Sequence, residues 1–280
     1  MRVTVFGATG LLGQEIIRQW KEDDVVGLNS KDADIRDPAE VLRAVEKTRP
    51  DWIVLAAAYT DVDGCESNRE LAFDVNSRGA VNVARAAKQH GASLLFVSTD
   101  YVFDGEGDVP YEIYHPRSPR SVYGKSKAEA EVRLSEIASE CCIVRTSWLF
   151  GAGGKCFPDT ILKLAESRKE IDVVDDQRGS PTYTADLARA ISELCRRDAR
   201  GIVHVTNRGD CSWFEFANEI VRLSGNGVVI RPTTSERLPR PAERPKYSVL
   251  SPNSLQNYDI AMPDWHSALK DYLARRGRKD

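Results

Sequence analysis

No apolar run in the 280-residue chain is longer than the eight residues from Trp52 to Tyr59. A helix that crosses a bilayer needs about 20, so no membrane partner is expected. The amino terminus, Met1-Arg2-Val3-Thr4-Val5-Phe6, meets a glycine at position 7, too early for the apolar stretch and cleavage site of a secretory signal. Excess positive charge is missing too. Lys plus Arg total 39 against 42 Asp plus Glu, a net charge of −3, without the basic footprint that nucleic-acid binding demands. Histidine is scarce, with four in all, and the six cysteines (Cys65, Cys141, Cys142, Cys156, Cys195 and Cys211) form no C-x-x-C pair. Zinc spacing and a paired redox centre are therefore both lacking. No Gly-x-Ser-x-Gly elbow is present to suggest an α/β-hydrolase. These absences point to a globular, cytoplasmic protein with buried thiols.

What the chain has is alternation. Short β-branched runs at Arg2–Phe6, Val25–Leu28, Trp52–Leu55, Ser93–Ser98 and Cys141–Arg145 read as strands. Between them, Leu11–Lys21, Pro38–Lys47, Arg69–His90 and Ser121–Ala138 carry apolar residues at helical spacing. Strands alternating with helices require crossover connections, hence an α/β fold with a mainly parallel, doubly wound sheet. After about residue 150 the pattern loosens. Gly151-Ala152-Gly153-Gly154 is a break, followed by shorter strands (Ile171–Val174, Ile202–Val205, Val228–Arg231) and helices near Thr184–Arg196 and Ser212–Leu223. Five of the 13 prolines fall between Arg231 and Pro252, which reads as an ordered surface loop. The expectation is a nucleotide-binding domain over 1–150 and a smaller substrate-binding lobe over 151–280, with the chain free to cross between them. The basic tail Arg275-Arg276-Gly277-Arg278-Lys279 reads as a solvated end.

Val3-Thr4-Val5-Phe6 runs straight into Gly7-Ala8-Thr9-Gly10-Leu11-Leu12-Gly13 and then a helix. Gly7 permits the tight turn, Gly10 the close approach of a pyrophosphate, and Gly13 the packing of helix on strand. Amides freed at the helix start hold the anion. The second strand ends in Asn29-Ser30-Lys31 rather than in an acid. Without a carboxylate there, and with Ser30 and Lys31 at hand, the cofactor expected is NADPH, with NADH left open by Asp32 and Asp34 nearby. Asp34-Ile35 is suited to the adenine end.

Tyr123-Gly124-Lys125-Ser126-Lys127 places Tyr123 and Lys127 on one helical face, where a nearby ammonium stabilises phenolate and makes tyrosine a usable acid. The strand Ser93–Ser98 leads into Thr99-Asp100, where the ligand crevice of an open parallel sheet lies. Thr99 is placed to bond a substrate carbonyl and Asp100 a sugar hydroxyl. Trp148 is followed by apolar Leu149-Phe150, so core packing and substrate contact both remain open for it. Arg145 and Arg178 are candidates for pairing a diphosphate, with structural ion pairs equally ordinary. Asp61-Val62-Asp63-Gly64 lacks the remaining ligands of a calcium loop.

The glycine turn, Ser98-Thr99-Asp100-Tyr101-Val102-Phe103-Asp104-Gly105 and Tyr123-x-x-x-Lys127 resemble the extended short-chain dehydrogenase/reductase superfamily, and more narrowly the dTDP-4-dehydrorhamnose reductase family. Further matches are Arg49-Pro50-Asp51, Ala56 to Asp63, Val144-Arg145-Thr146-Ser147-Trp148, Asp176-Gln177-x-Gly179-x-Pro181-Thr182 and Arg244-Pro245-x-x-Ser248, so the likeness spans the chain. It implies a Rossmann-type fold and NADPH-dependent reduction of the 4-keto group of dTDP-6-deoxy-L-lyxo-4-hexulose. By position it assigns Tyr123 as the acid, Lys127 as its tuner and ribose contact, and Thr99 as the group orienting the carbonyl. Thr99, Asp100, Tyr123 and Trp148 would contact the nucleotide sugar. Gly7, Gly10, Leu11, Leu12, Gly13, Asn29, Asp34, Ile35, Ala58, Tyr59, Thr60, Tyr123 and Lys127 would bind the dinucleotide. Some members are magnesium-bridged dimers. Glu15 matches one of their glutamates but Ala185 stands at another, so no metal is expected and a homodimer stays open. Two other readings stand beside this one. One is a different nucleotide-sugar transformation, with dehydration disfavoured because no Glu follows Asp100. The other is a non-catalytic subunit similar to the methionine adenosyltransferase β-subunit.

Overall fold

The computed structural model describes residues 1–138 and 140–276; Gly277-Arg278-Lys279 of the basic tail lie outside them. The first half runs β1 (Arg2–Phe6), α1 (Leu11–Gln19), β2 (Asp24–Leu28), α2 (Pro38–Thr48), β3 (Trp52–Leu55), α3 (Val62–Ser67), α4 (Arg69–Phe73), α5 (Gly79–His90), β4 (Ser93–Thr99), α6 (Val122–Ile137) and β5 (Cys142–Thr146). The second half holds β6 (Leu149–Phe150), α7 (Phe157–Ala165), β7 (Glu170–Val174), β8 (Arg178–Gly179), β9 (Thr182–Tyr183), α8 (Thr184–Arg196) and β10 (Gly201–His204). It ends with β11 (Cys211–Ser212), α9 (Trp213–Ser224), β12 (Val229–Thr233), α10 (Asn253–Gln256) and α11 (Trp265–Arg276).

Each start and stop has a local cause. Asp37 caps α2, accepting from the amides of Ala39 (2.8 Å) and Glu40 (3.2 Å), with Pro38 at the first helical position. Ser121 caps α6 through the Gly124 amide, and Ser212 with Glu215 forms a full capping box on α9. β3 and β5 are buried along their whole length, as parallel strands covered on both faces must be.

The central sheet is parallel in the order β2-β1-β3-β4-β5-β10. Side-chain alternation divides its residues between two cores. Val3, Val5, Val54, Leu95 and Val144 meet Leu12 and Ile16 of α1 and Leu187, Ile191 and Leu194 of α8. Phe6, Ile53, Leu55, Phe96 and Ile143 meet Val41 and Val45 of α2, Val83 of α5 and Leu134 of α6. A third core, around Phe150, Phe216, Ile220 and Tyr272, belongs to the smaller lobe. The chain does not stay there after residue 150. α8 packs on α1, and β10, read from sequence as part of the second lobe, pairs with β5 in the central sheet. Its apolar Ile202 and Val203 meet the covered faces of that sheet, which overrides sequence proximity. The stretch from Arg231 to Pro252 is β12 followed by irregular chain, and it buries Val249 and Leu250.

Three glycines of the first turn are set apart by what surrounds them. A Cβ on Gly13 would lie 2.2 Å from the Gly7 carbonyl oxygen, and one on Gly7 (φ 92°) 2.5 Å from the Ala57 nitrogen. A Cβ on Gly10 would meet only the Gly7 oxygen, at 3.4 Å. Gly13→Ala is therefore expected to cost about 2–4 kcal/mol, because backbone cannot yield to it. Gly10→Ala should change stability by about 0.5 kcal/mol or less. Denaturant unfolding of the two variants checks this, and equal midpoints would refute the assignment.

Candidate active site

Register brings Phe6 of β1 beside Leu55 of β3, and Thr99 of β4 beside Thr146 of β5. All four carboxyl ends therefore open on one edge. The sheet reverses its order of growth between β1 and β3, the place where open α/β sheets hold ligands. A cavity of about 890 Å³ lies there, at the upper end of ordinary ligand pockets.

Gly7, Gly10, Leu11, Leu12 and Gly13 form part of its wall. Gly10 is the N-cap of α1 and supplies no side-chain acceptor, so the first amides of the helix are left for an anion. Nothing in the protein's packing demands glycine at position 10, whereas a diphosphate lying close to the backbone would. The cradle thus fits a dinucleotide. Asn29, Asp34, Ile35, Ala58 and Thr60 line the same cavity, with Ser30 and Arg36. Lys31 does not line it; its amide donates to Asn29 Oδ1 (2.8 Å). Asp34 is forked by Arg36, whose Nε lies 3.0 and 2.9 Å from the two carboxylate oxygens. That pairing holds the Asp34 carboxyl below its usual range.

Tyr59 departs from the expected set. Its ring packs with Cys65, Ala72 and Val122 beside Tyr123, and it is not in the cavity wall. Its peptide is gripped by Asn76, whose Oδ1 accepts from the Tyr59 amide (2.8 Å) and whose Nδ2 donates to the Tyr59 carbonyl (3.1 Å) and Ser126 Oγ (2.9 Å). Asn76 sits in a π-helical turn, Asp74–Arg78, inside what the sequence suggested was one regular helix. Such turns often mark functional sites. A poor helix former in mid-helix, where its amide competes with the backbone, was the available signal.

Tyr123, Lys127, Thr99 and Asp100 all line the cavity. Thr99 Oγ1 donates to Asp100 Oδ1 (2.9 Å) and accepts from the Tyr101 amide (3.2 Å). Asp100 is 2% exposed, and its Oδ2 has no well-formed hydrogen bond. Burial pushes its carboxyl up to about 6, an effect partly offset by the nearby Ser248 and Thr99 hydroxyls. Tyr123, deep among protein atoms yet reached by water through the cavity, is pushed up as well, by burial and then by the Asp100 charge, with the Thr99 hydroxyl acting in the opposite sense. The expectation that Lys127 lowers this phenol is not met in the geometry. The ammonium donates to the Val97 carbonyl (2.6 Å) and lies 3.9 Å from the centre of the Phe96 ring. Burial brings Lys127 down to about 7 against the opposing charge of Glu131.

Neither Arg145 nor Arg178 reaches the cavity. Arg145 is buried and forks Glu131 (Nε to Oε1, 2.9 Å; Nη2 to Oε2, 2.7 Å). Arg178 pairs with Asp210 and Glu215. Both serve as structural ions because carboxylates lie closer to them than the site does. Asp61 caps α3 through the Gly64 amide (2.9 Å), and Asp63 pairs with Arg244 (2.8 Å). Glu15 is buried against Arg18 and Gln19. Among the described residues, no group of three or more His, Cys, Asp or Glu is placed to hold a metal, and no helix is long and apolar enough to cross a membrane. Trp148 lines the cavity, joined by Ser147 of the same motif, to which no role was given, and by Trp213, which lay in none of the motifs.

A family model described as "RmlD substrate binding domain" matches residues 1–277. The chain is 42% identical to the spore coat polysaccharide biosynthesis protein SpsK of Bacillus subtilis, over 98% of each chain. It is 41% identical to the dTDP-4-dehydrorhamnose reductase of Streptomyces griseus, over 96% of this chain and 92% of that one. The crystal structure of dTDP-4-dehydrorhamnose reductase from Bacillus anthracis in complex with NADP superposes with a TM-score of 0.96 at 40% identity, covering 98% of this chain and 99% of that one. Fold and full-length similarity agree, and the chain belongs to the RmlD, or dTDP-4-dehydrorhamnose reductase, family.

Proposed function

We propose that the protein reduces the 4-keto group of dTDP-6-deoxy-L-lyxo-4-hexulose with NADPH, giving dTDP-L-rhamnose. The observation that carries this reading is the convergence of Tyr123, Thr99 and Lys127 on one cavity with the glycine turn. Relatives named for this activity match over nearly the whole chain.

The residues present fit a dinucleotide. The Gly7–Gly13 turn would hold its diphosphate, Asp34 and Ile35 its adenosine end, and Lys127 its second ribose. Asn29 in place of an acid, and Asp34 neutralised by Arg36, favour a 2′-phosphate and thus NADPH over NADH. When bound, NADPH supplies a hydride to the carbonyl carbon. Tyr123 then donates its phenolic proton to the developing alkoxide, so that one hydride and one proton complete the alcohol. Thr99 turns its one O–H from Asp100 Oδ1 to the same oxygen and fixes its direction. A phenol held protonated by burial is a sound donor at neutral pH, and Lys127, engaged by the Val97 carbonyl, serves the cofactor ribose rather than the phenol. Asp100, in the same wall, accepts from a sugar hydroxyl in place of the Thr99 O–H.

Purified protein mixed with NADPH and enzymatically made keto sugar should oxidise NADPH and form dTDP-L-rhamnose. Tyr123→Phe should lower kcat by about 10²–10⁴, with NADPH affinity changed less than about threefold as read by cofactor fluorescence. NADPH binding without oxidation in the wild type would refute this substrate and favour a non-catalytic role.

Asp100 gives a second expectation. Its folded-state value of about 6 lies above the ordinary 3.8. Folding therefore disfavours the charged form, at no cost below pH 3.8 and at full cost above pH 6. Asp100→Asn should be more stable than the wild type at pH 8 by about 2–3 kcal/mol, with the gain vanishing near pH 4, while turnover falls. Unfolding curves at both pH values check this, and a difference independent of pH would refute it.

A further inference from the structure

Four non-glycine residues among those described have positive φ: Arg49, Trp148, Asp198 and Asp259. Trp148 (φ 47°) alone of these lines the cavity. A left-handed backbone is disfavoured for a bulky side chain and persists only where the surroundings enforce it. The enforcing contacts come from the second lobe. The Thr182 amide donates to the Trp148 carbonyl (3.2 Å). Gly179 lies against the indole so closely that a Cβ there would stand 2.6 Å from Cε2. Trp213 stacks on it with ring centres 3.5 Å apart and planes 7° from parallel.

Trp213 is itself held from several directions. It opens α9, whose first turn is locked by the Ser212–Glu215 capping box. Ser212 Oγ also donates to Asp175 (2.5 Å), and Arg178 bridges Asp210 and Glu215 on either side. Phe157 packs against the Trp213 ring at 4.5 Å. Yet Trp213 is not wholly absorbed into the core: both indoles remain part of the wall that also holds Thr99, Asp100 and Tyr123.

We infer that Trp213 is a positioning residue of the sugar site, holding the Trp148 indole in place so that the pair forms one rigid apolar wall for the C–H face and C5 methyl of a 6-deoxyhexose. This rests on the nucleotide-sugar reading above. Stacking restricts rotation of the Trp148 ring, so the ordering that a lone indole would undergo on binding is already complete in the free protein. An apolar wall also rewards a methyl over a hydroxymethyl group, whose hydroxyl would be desolvated against it.

The test combines circular dichroism with kinetics. Stacked indoles should give a far-ultraviolet exciton couplet in the wild type, lost in both Trp213→Leu and Trp148→Phe. Trp213→Leu should raise KM for the keto sugar, and the dissociation constant of dTDP-L-rhamnose, by roughly tenfold. kcat and NADPH affinity should change by less than about threefold, and Trp213→Phe should recover most of the loss. Trp213→Met serves if the leucine variant does not fold. Loss of the couplet with sugar affinity unchanged, or an equal loss of NADPH affinity, overturns the inference. Should the wild type bind dTDP-L-rhamnose without reducing the keto sugar, the functional reading fails while the binding arm still decides the role of Trp213. A wild type that binds no dTDP-sugar overturns both.

Discussion

Glu131 is a buried carboxylate surrounded by donors from three elements, and the geometry of the site hangs on it. Burial alone would raise its pKa. Arg145 from β5, Ser98 from β4 (2.6 Å) and Arg117 from the preceding loop (2.5 Å) more than compensate and keep it ionised. The contact ties α6 to the two strands whose ends carry the chemistry. Tyr123, Lys127 and Glu131 lie four residues apart along α6, so the helix is pinned at the end of the face that presents the first two to the cavity. Ser98 immediately precedes Thr99, so the same carboxylate also fixes where β4 delivers its hydroxyl. A charge without partners at this depth would cost several kcal/mol; fully partnered, it makes one arrangement of helix and strands far better than its neighbours.

That arrangement bears on Lys127. A lysine 1% exposed is hard to keep charged. Its ammonium has the Val97 carbonyl, the face of Phe96 and the field of Glu131 on its side. These leave it near neutrality in its proton balance at about pH 7. The sign matters for stability: a lysine depressed in the folded state destabilises the fold while it must carry charge, and the penalty fades as pH rises from 7 toward 10.5. Asp100 carries the opposite pH dependence, since its cost builds as pH rises from 3.8 to about 6. Two of the groups facing the cavity are thus held against their solvation preferences, which is where perturbed titration and function tend to coincide.

The fold was legible where local chemistry and tertiary need agree. β1, β3 and α2 begin where short β-branched runs or the Asp37-Pro38 pair place them, because strands and capped helices carry their signals locally. The glycine turn was legible for the same reason in part, since Gly13 is dictated by the Gly7 carbonyl six residues before it and Gly7 by its own positive φ, although the Ala57 backbone that also crowds Gly7 is distant in sequence. β10 was not. Its residues spell a strand, but nothing local says which sheet it joins, and only the edge left open by β5 decides that. Asn76 and Trp213 escaped for a related reason. Each acts through partners distant in sequence, Tyr59 and Ser126 for one and Trp148 for the other. Arg145 stayed undecided because an arginine at a strand end suits a diphosphate and a buried carboxylate equally well. Only the position of Glu131 separates them.

The two lobes then divide the work by kind of interaction. The sheet half contributes hydroxyls, amides and charges at strand and helix ends, groups whose directions are fixed by backbone hydrogen bonding and which lose little when exposed to water. The second lobe contributes stacked aromatic surface, which is directionless toward a ligand but must be kept flat and in place. Flatness comes from the left-handed Trp148 backbone, the bare Gly179 beside it and the capped start of α9. Each of these would be unfavourable or pointless alone. A bulky residue at positive φ costs conformational energy, a glycine in a strand weakens it, and a tryptophan half out of a core wastes apolar area. Together they produce one wall facing the Thr99–Tyr123 side, and the strain is offset by burial of the lobe around Phe150 and Phe216. The cavity wall combines both kinds of surface, and the return of α8 and β10 to the central sheet is what holds the two halves in one register.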